Sequence, residues 1–290
     1  MRANRPPFRV GLIQMRCSTD PADNLARALE MLREAAAKGA QVACLPELFL
    51  TQYFCQTEDA ATFDLAEPIP GPTTQALADL ARETKMTVVG SIFERRAAGV
   101  YHNTAVVLEG DGSLVGKYRK MHIPDDPLYY EKYYFTPGDL GFKAFETKHA
   151  RVGTLVCWDQ WYPEAARAMA LMGAEVLFYP TAIGSEPHDT SLDTRDPWRR
   201  VMQGHAVANV MPVVAANRIG FEPGPGGGQT FYGSSFISNH RGDLVQSFER
   251  EDEGVLTASF DLDFLHTHRA AWGFFRDRRT DLYGSLIRRD

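Results

Sequence analysis

Short apolar runs alternate along the chain with stretches in which apolar residues recur at helical spacing. The run at 8–15 predicts a buried strand. Asp20 and Pro21 then supply a helix N-cap and a first helical position, and Gly39 ends that helix. The same patterns predict further helices over 73–85, 163–172 and 196–210, and further strands over 40–47, 86–94, 102–109, 114–122, 151–156, 174–180, 211–218, 233–238 and 254–262.

Tight turns join some of these strands. A Gly-Asp-Gly sequence at 110–112 separates two predicted strands and is typical of a hairpin. Hairpins pair strands antiparallel, whereas strands joined through helices pair in parallel, so we expect mixed sheets. The glycine-rich stretch 222–230 is expected to be a surface loop. No linker divides the 290 residues, which predicts a single α/β domain over 1–290.

Composition narrows the classes of partner. The chain is 44% hydrophobic and 23% charged, with a net charge of -6, as in ordinary globular proteins. It has no dense basic patch, so nucleic-acid binding has no electrostatic support. No apolar run approaches the roughly 20 residues that span a bilayer, and the N-terminal run does not read as a signal peptide. We therefore expect a cytoplasmic protein without a membrane or nucleic-acid partner.

The four cysteines suit neither a disulfide framework nor a zinc site, because none forms a CxxC pair. Free cysteines are among the most buried residues, and Cys17 and Cys44 fit that description. Cys55 is undecided. Cys157 differs, because it stands where a strand gives way to a turn and then a helix. A helix N-terminus favours a thiolate, and such a turn also exposes a nucleophile beside backbone N–H donors.

Charged residues follow two other predicted strands. Glu47 comes after "CLP" and Lys120 after "GKYR", and each alone is typical of a solvated loop. Together with Cys157 they would supply a base, a cation and a nucleophile. A carboxylate can take a thiol proton and later activate water. A lysine can stabilise a tetrahedral oxyanion and keep the glutamate ionised.

Other cysteine chemistries fit less well. A phosphatase loop requires an arginine where Pro163 stands, and a papain-like pair requires a histidine base that none of the eight histidines clearly provides. A metal site built from Asp263, His266 and His268 is less favoured than exposed turn residues.

Three motifs carry a family resemblance. Glu47 in "LPELF", Lys120 in "YRKMHIP" and Cys157 in "CWDQWYPE" resemble the Glu–Lys–Cys triad of the nitrilase, or carbon–nitrogen hydrolase, superfamily. The resemblance runs from about residue 8 to the C-terminus. It is closer to the N-carbamoylputrescine amidohydrolase branch, through the stretches 122–139, 157–189, 200–220 and 231–239. "GHAVAN" departs from the expected "GHAGAN" at Val207, which we interpret as a packing change.

The resemblance implies a four-layer α-β-β-α sandwich with two mixed sheets. It implies a homo-oligomer, a dimer or higher, with helices near the cysteine and the C-terminal extension 264–290 in the interface. It also implies a second glutamate near the triad, Glu131, which helps to position the catalytic groups. No metal or organic cofactor is required, because the thiol and the carboxylate supply the chemistry.

The implied reaction is hydrolysis of N-carbamoylputrescine to putrescine, carbon dioxide and ammonia, a step of polyamine biosynthesis, through a thioester-like intermediate on Cys157. The N–H of Trp158 is expected to help Lys120 hold the oxyanion. The ammonium of this substrate calls for a carboxylate, since an unpaired buried cation is costly. Glu186 is the first candidate and Asp125 and Asp126 are others, although loop solvation explains each equally well. Tyr130 is also a predicted substrate-binding residue.

Three alternatives remain open from the sequence. A β-ureidopropionase or another N-carbamoyl amino acid amidohydrolase would bind a carboxylate and would need an arginine. A catalytically silent binding scaffold of the same fold is disfavoured by the intact triad. An aliphatic nitrilase would release ammonia from nitriles.

Overall fold

The computed structural model describes residues 5–288. Within them the strands are β1 (Phe8–Arg16), β2 (Val42–Cys44), β3 (Thr87–Ala97), β4 (Val100–Leu108), β5 (Leu114–Arg119), β6 (Ala144–Glu146), β7 (Arg151–Thr154), β8 (Val176–Thr181), β9 (Val213–Glu222), β10 (Gln229–Tyr232), β11 (Phe236–Ser238), β12 (Leu244–Ser247) and β13 (Gly254–Phe260). The α-helices are α1 (Pro21–Ala37), α2 (Pro72–Thr84), α3 (Glu131–Tyr134), α4 (Pro163–Leu171), α5 (Arg195–Asn209) and α6 (Leu262–Trp272).

Twelve of the thirteen strands form two six-stranded halves, and β10 pairs antiparallel with β9 beside them. One has the order β5-β4-β3-β2-β1-β13, and the other has the order β6-β7-β8-β9-β11-β12. The halves meet where Met15 and Arg16 of β1 pair with Arg218 and Ile219 of β9. Pairing is parallel between β1, β2 and β3 and between β7, β8 and β9, and antiparallel at the hairpins. The predicted mixed sheets are therefore confirmed.

Alternation along the strands explains how the halves stack. In β4, Ala105 and Val107 belong to the apolar cluster between the halves, whereas Val106 and Leu108 join the cluster that packs on α1 and α2. Successive side chains of a strand point to opposite faces, so a strand that is apolar at every position is buried on both sides. Helices α4 and α5 cover the second half through residues such as Met169. The predicted four-layer α-β-β-α sandwich is confirmed.

The sequence patterns missed several elements. Strand β12 is exposed along its length, so it has no apolar alternation. Helix α6 begins at an N-cap, Asp261, whose side chain accepts a hydrogen bond from Phe264 N at 2.8 Å, a signal that the aromatic composition of the tail obscured. The predicted loop 222–230 is shorter than expected, because β9 and β10 extend into it. No helix of residues 5–288 has the length and apolar character to cross a membrane.

Candidate active site

The predicted triad residues lie just beyond the ends of three strands. Glu47 follows β2, Lys120 directly follows β5, and Cys157 follows β7. The main chain fixes two of them, since Glu47 N donates to Thr181 O at 3.3 Å and Lys120 N donates to the main-chain oxygen of Asn103 at 2.8 Å. Parallel strands bring their carboxyl ends to one edge, which is where open α/β sheets place ligands.

The structure brings Glu47, Lys120 and Glu131 together in one buried cluster. Lys120 Nζ donates to Glu47 Oε1 at 2.8 Å and to Glu131 Oε2 at 2.6 Å, and all three side chains are fully buried. Asn103 Nδ2 also donates to Glu47 Oε1, at 2.6 Å, and the Tyr53 hydroxyl donates to Glu131 Oε1 at 2.7 Å. One ammonium group therefore faces two carboxylates.

This charge arrangement sets the protonation of the cluster. Burial by itself lowers the pKa of Lys120, but the charges of Glu131 and Glu47 outweigh it and raise that pKa well above its ordinary value. Burial raises the pKa of Glu131 to about 7, with Glu47 adding to the rise and Lys120 opposing it. Lys120 therefore stays charged.

Cys157 occupies a strained turn. Its φ angle is 40°, in the left-handed region that non-glycine residues rarely adopt, and it begins a short 3-10 helix, Cys157–Trp161. Such conformations cost about 1–3 kcal/mol and concentrate at functional sites. Asp159 fixes the turn, because its carboxylate accepts from Val156 N at 2.9 Å and its own N–H donates to Val156 O at 3.1 Å. The Cys157 thiol faces Ala182 O at 3.6 Å.

The thiol of Cys157 is neutral at rest. Burial raises its pKa well above the ordinary value, Glu47 and Glu131 raise it further, and Lys120 opposes them. The acidification expected from a nearby helix N-terminus is therefore reversed by burial and by two carboxylates. Glu47 Oε2 is buried and accepts no hydrogen bond from the described residues, so it is available to take the thiol proton.

A cavity of about 280 Å³ opens onto Cys157 and Glu131. Its wall includes the acidic side chains of Glu186 and Asp126. The described lining also holds aromatic residues and contains no lysine or arginine; the aromatic members are Tyr129, Trp158 and Trp161. Such a cavity suits a small molecule with an apolar middle and a cationic end.

Three of the five predicted substrate-binding residues line this cavity, namely Glu186, Asp126 and Trp158. Asp125 is exposed, and neither it nor Tyr130 is among the described residues of the lining. Tyr129, the chain neighbour of Tyr130, lines it instead. The reason is a turn in which Tyr129 N donates to Asp126 O at 2.8 Å, a local geometry that strand and helix periodicities do not predict.

Glu186 is a mostly buried carboxylate, with 15% of its side chain exposed. Burial raises its pKa, and the only basic side chain within ion-pair distance among the described residues is His188, whose Nδ1 lies 3.9 Å away. A cationic ligand would stabilise a carboxylate in such a position, because it replaces the interactions with water that burial removes.

Sequence reasoning missed the residues that support the cluster. Asn103 interrupts an apolar strand, and a polar side chain inside a buried strand was an available signal. Tyr53 and Tyr129 stand in irregular segments, where no periodicity marks them. Tyr129 OH accepts from Gly184 N at 3.0 Å and so holds the segment that carries Glu186. No group of three histidine, cysteine, aspartate or glutamate side chains within residues 5–288 is arranged to hold a metal ion.

Comparison with known proteins places this geometry in a family. The carbon-nitrogen hydrolase family model matches residues 9–270. The chain is 51% identical over 286 residues to the N-carbamoylputrescine amidase of Solanum lycopersicum, covering 97% of this chain and 95% of that protein. It is 46% identical over 283 residues to the citrullinase of Francisella tularensis, covering 97% and 99%. The crystal structure of a carbon-nitrogen hydrolase from Helicobacter pylori G27 matches with a TM-score of 0.93 and 42% identity, covering 98% of this chain and 99% of that one. The chain belongs to the carbon-nitrogen hydrolase family.

Proposed function

We propose that the protein is an amidase that hydrolyses N-carbamoylputrescine to putrescine, carbon dioxide and ammonia. The observation that carries the proposal is the pairing of two features in one cavity. Cys157 and Glu131 line one part of the cavity, and Glu131 is bonded to Lys120, which also binds Glu47; the carboxylates of Glu186 and Asp126 line another part of the wall. N-carbamoylputrescine matches both, because it joins a ureido group to an ammonium group through an apolar chain. The plant amidase at 51% identity supports the same substrate.

The first step forms a bond between Cys157 Sγ and the ureido carbon. Because the thiol is neutral at rest, its proton passes to Glu47 Oε2 as sulfur attacks. The carbonyl electron pair moves onto oxygen, where the Lys120 ammonium and the N–H of Trp158 stabilise the negative charge. Glu131 positions Lys120 through the 2.6 Å contact.

The tetrahedral adduct then collapses with cleavage of a C–N bond. Glu47 returns its proton to the departing nitrogen, which is released as ammonia. A thioester-like carbamoyl group then remains on sulfur. Water attacks this group with Glu47 again as the base, and the carbamate that is released decomposes to amine and carbon dioxide. One water molecule is consumed overall, and the thiol and carboxylate are regenerated.

The cavity wall favours an ammonium over a carboxylate at the far end of the substrate. N-carbamoyl-β-alanine ends in a carboxylate, and citrulline carries a carboxylate that N-carbamoylputrescine lacks. The described lining offers acids and no arginine or lysine to pair with such a group. A substrate carboxylate bound beside these acids would lose its hydration and find no cationic partner, so its binding is disfavoured.

The proposal includes one domain over 1–290 that forms a homo-oligomer, in which 264–290 contributes to the interface. Residues 289–290 lie outside the described chain. Several large apolar side chains of this extension are exposed, at 54% for Trp272 and 62% for Leu286, and exposed apolar patches mark interaction surfaces. We also place the protein in the cytoplasm, since its four cysteines are free thiols, as is usual in a reducing compartment.

Ammonia release tests the substrate directly. Purified protein is given N-carbamoylputrescine, citrulline and N-carbamoyl-β-alanine in parallel, with the Cys157→Ala protein as the blank. We expect kcat/KM for N-carbamoylputrescine to exceed the others by about 100-fold or more, as expected when a buried charge is left unpaired. Preference for N-carbamoyl-β-alanine would assign a β-ureidopropionase, and preference for citrulline a citrullinase. Absence of turnover with an iodoacetamide-inert Cys157 would indicate a binding scaffold.

A further inference from the structure

Arg218, in β9, is a fully buried arginine outside the catalytic cluster. Its Nη2 donates to Glu47 O at 2.7 Å and to Leu48 O at 2.9 Å. Its Nη1 donates to Thr51 O at 3.1 Å and to Glu222 Oε1 at 2.8 Å. A guanidinium group is planar and permanently charged, so it holds several acceptors in a fixed geometry. Here three of the four acceptors belong to the segment that carries Glu47.

This segment is strained at the residue after Glu47. Leu48 has a φ angle of 48°, which a leucine adopts only where its surroundings enforce it. Arg218 holds the carbonyl oxygens of Glu47 and Leu48, while Leu48 N donates to Ser91 Oγ at 3.1 Å. The backbone on both sides of the strained peptide is therefore fixed, and the direction of the Glu47 side chain depends on it.

The second carboxylate of the cluster is connected to the same arginine. Glu222, the ion-pair partner of Arg218, accepts through Oε2 from the N–H of Tyr53. The hydroxyl group of Tyr53 in turn donates to Glu131 Oε1 at 2.7 Å. These contacts form a continuous chain from Arg218 through Glu222 and Tyr53 to Glu131, and all four residues are buried.

We propose that Arg218 is a positioning residue for the reaction. It fixes the backbone that carries Glu47 and, through Glu222 and Tyr53, the carboxylate of Glu131. Arg218 is not among the described residues that line the cavity, so it acts through other residues and not on the substrate. The role rests on the proposed function, because it requires Glu47 to be the base that takes the thiol proton.

The test replaces Arg218 by lysine. An Arg218→Lys side chain keeps the charge but cannot hold four acceptors in a fork. We expect kcat to fall about 30-fold or more while KM changes by less than about threefold, because the base is misplaced and the cavity wall is not. All measurements are made at a temperature where circular dichroism shows the variant folded.

Arg199→Lys is the matched control. Arg199 is also buried, and it donates to the carbonyl oxygens of Ser234 and Phe248, away from the catalytic cluster. Its substitution should lower the melting temperature but leave kcat within about twofold of wild type. An equal loss of kcat in both variants, or an unchanged kcat in Arg218→Lys, would overturn the proposal.

Further variants and a substrate-independent readout keep the test decisive. If Arg218→Lys does not fold, Glu222→Gln and Tyr53→Phe interrupt the chain at single contacts, and each should lower kcat by about tenfold without raising KM. Alkylation of Cys157 by iodoacetamide does not depend on the natural substrate. It therefore still tests the role of Arg218 if the protein does not hydrolyse N-carbamoylputrescine. We expect alkylation to be about tenfold slower in Arg218→Lys and unchanged in Arg199→Lys. Equal alkylation rates in the two would contradict the role of Arg218.

Discussion

Lys120 and Glu131 form an ion pair in which both side chains are fully buried, with Nζ 2.6 Å from Oε2. The same ammonium group lies 2.8 Å from Glu47 Oε1, so it neutralises only one of two carboxylates. Burial, together with this unbalanced negative charge, keeps the neighbouring thiol of Cys157 protonated. The proposed nucleophile is therefore held as a neutral thiol, in contrast to enzymes that hold a preformed thiolate.

Glu131→Gln tests this charge balance. Removing one carboxylate should lower the pKa of Cys157, because the charge of Glu131 contributes to raising it. Alkylation by iodoacetamide at neutral pH should therefore become faster, while turnover falls by about tenfold or more because Lys120 loses a positioning contact. The rate of alkylation is measured against pH. Glu67→Gln, which removes a carboxylate bound to Thr73 instead, is the control, and slower alkylation in Glu131→Gln would refute the charge balance.

Glu186→Gln tests recognition of the substrate ammonium. We expect KM for N-carbamoylputrescine to rise about 10- to 100-fold, with kcat changed much less, because the lost contact lies away from the reacting carbon. Burial raises the pKa of Glu186, so KM of the wild type should also rise as the pH falls and this carboxylate is protonated. Steady-state kinetics from acidic to neutral pH check both effects. Asp125→Asn, at an exposed position outside the described lining, should leave KM unchanged, and an equal effect there would contradict the assignment.

Glu94 makes the free energy of unfolding depend on pH, and this effect is separate from the candidate active site. Burial by itself would raise the pKa of Glu94, but hydrogen bonds from Arg119, Lys117 and Thr104 lower it from 4.5 to about 2. A lowered pKa stabilises the folded state above the unfolded value of 4.5, and this stabilisation is lost as the pH falls towards 2. Glu94→Gln should therefore reduce the free energy of unfolding at pH 7 by on the order of 2 kcal/mol.

The difference between Glu94→Gln and wild type should shrink as the pH is lowered from 4.5 towards 2, because wild-type Glu94 is then protonated as well. Urea unfolding at several pH values measures it. Glu83→Gln is the control, since Glu83 pairs with Arg33 on the exposed surface and such pairs contribute little. A deficit in Glu94→Gln that stays constant with pH would show that packing and not charge is responsible.

The C-terminal extension is tested through its exposed apolar residues. Leu286→Asp places a charge on a side chain that is 62% exposed in the single chain. If this surface is an oligomer interface, the variant should sediment as a smaller species than wild type, because a buried unpaired charge opposes association. Phe221→Asp, at an aromatic residue that is 58% exposed outside the extension, should not change the sedimentation coefficient. Identical sedimentation of wild type and Leu286→Asp would argue against the interface.

Much of the fold could be predicted from the sequence, because its strands carry strong signals. Strand β4 is buried on both faces, so its apolar run was visible, and α1 begins at an Asp20 cap that accepts from Ala22 N at 2.9 Å. The exposed β12 and the single-turn α3 lack any such signal. Hydrophobic periodicity arises from the burial of one face of a regular element, so it is absent where an element is exposed or very short.

Some residues of the candidate active site could likewise be predicted from the sequence, and others could not. Glu47, Lys120 and Cys157 were predicted because each follows a strand and because their motifs resemble the triad of the nitrilase superfamily, and the structure brings Glu47 and Lys120 into direct contact. The residues that hold the cluster were not predicted, since Tyr53 and Arg218 reach it across long sequence separations. A tertiary hydrogen bond between distant segments leaves no local pattern in one sequence.

The central claim is that Cys157 is the nucleophile, and ammonia release from N-carbamoylputrescine by two cysteine variants tests it most directly. Cys157→Ala should lose at least about 1,000-fold of the wild-type kcat, because it removes the sulfur on which the proposed covalent intermediate forms. Cys44→Ala removes another buried thiol, one that is not among the described residues of the cavity lining, and it should retain kcat within about threefold. Turnover by folded Cys157→Ala at a rate comparable to that of Cys44→Ala would contradict the account.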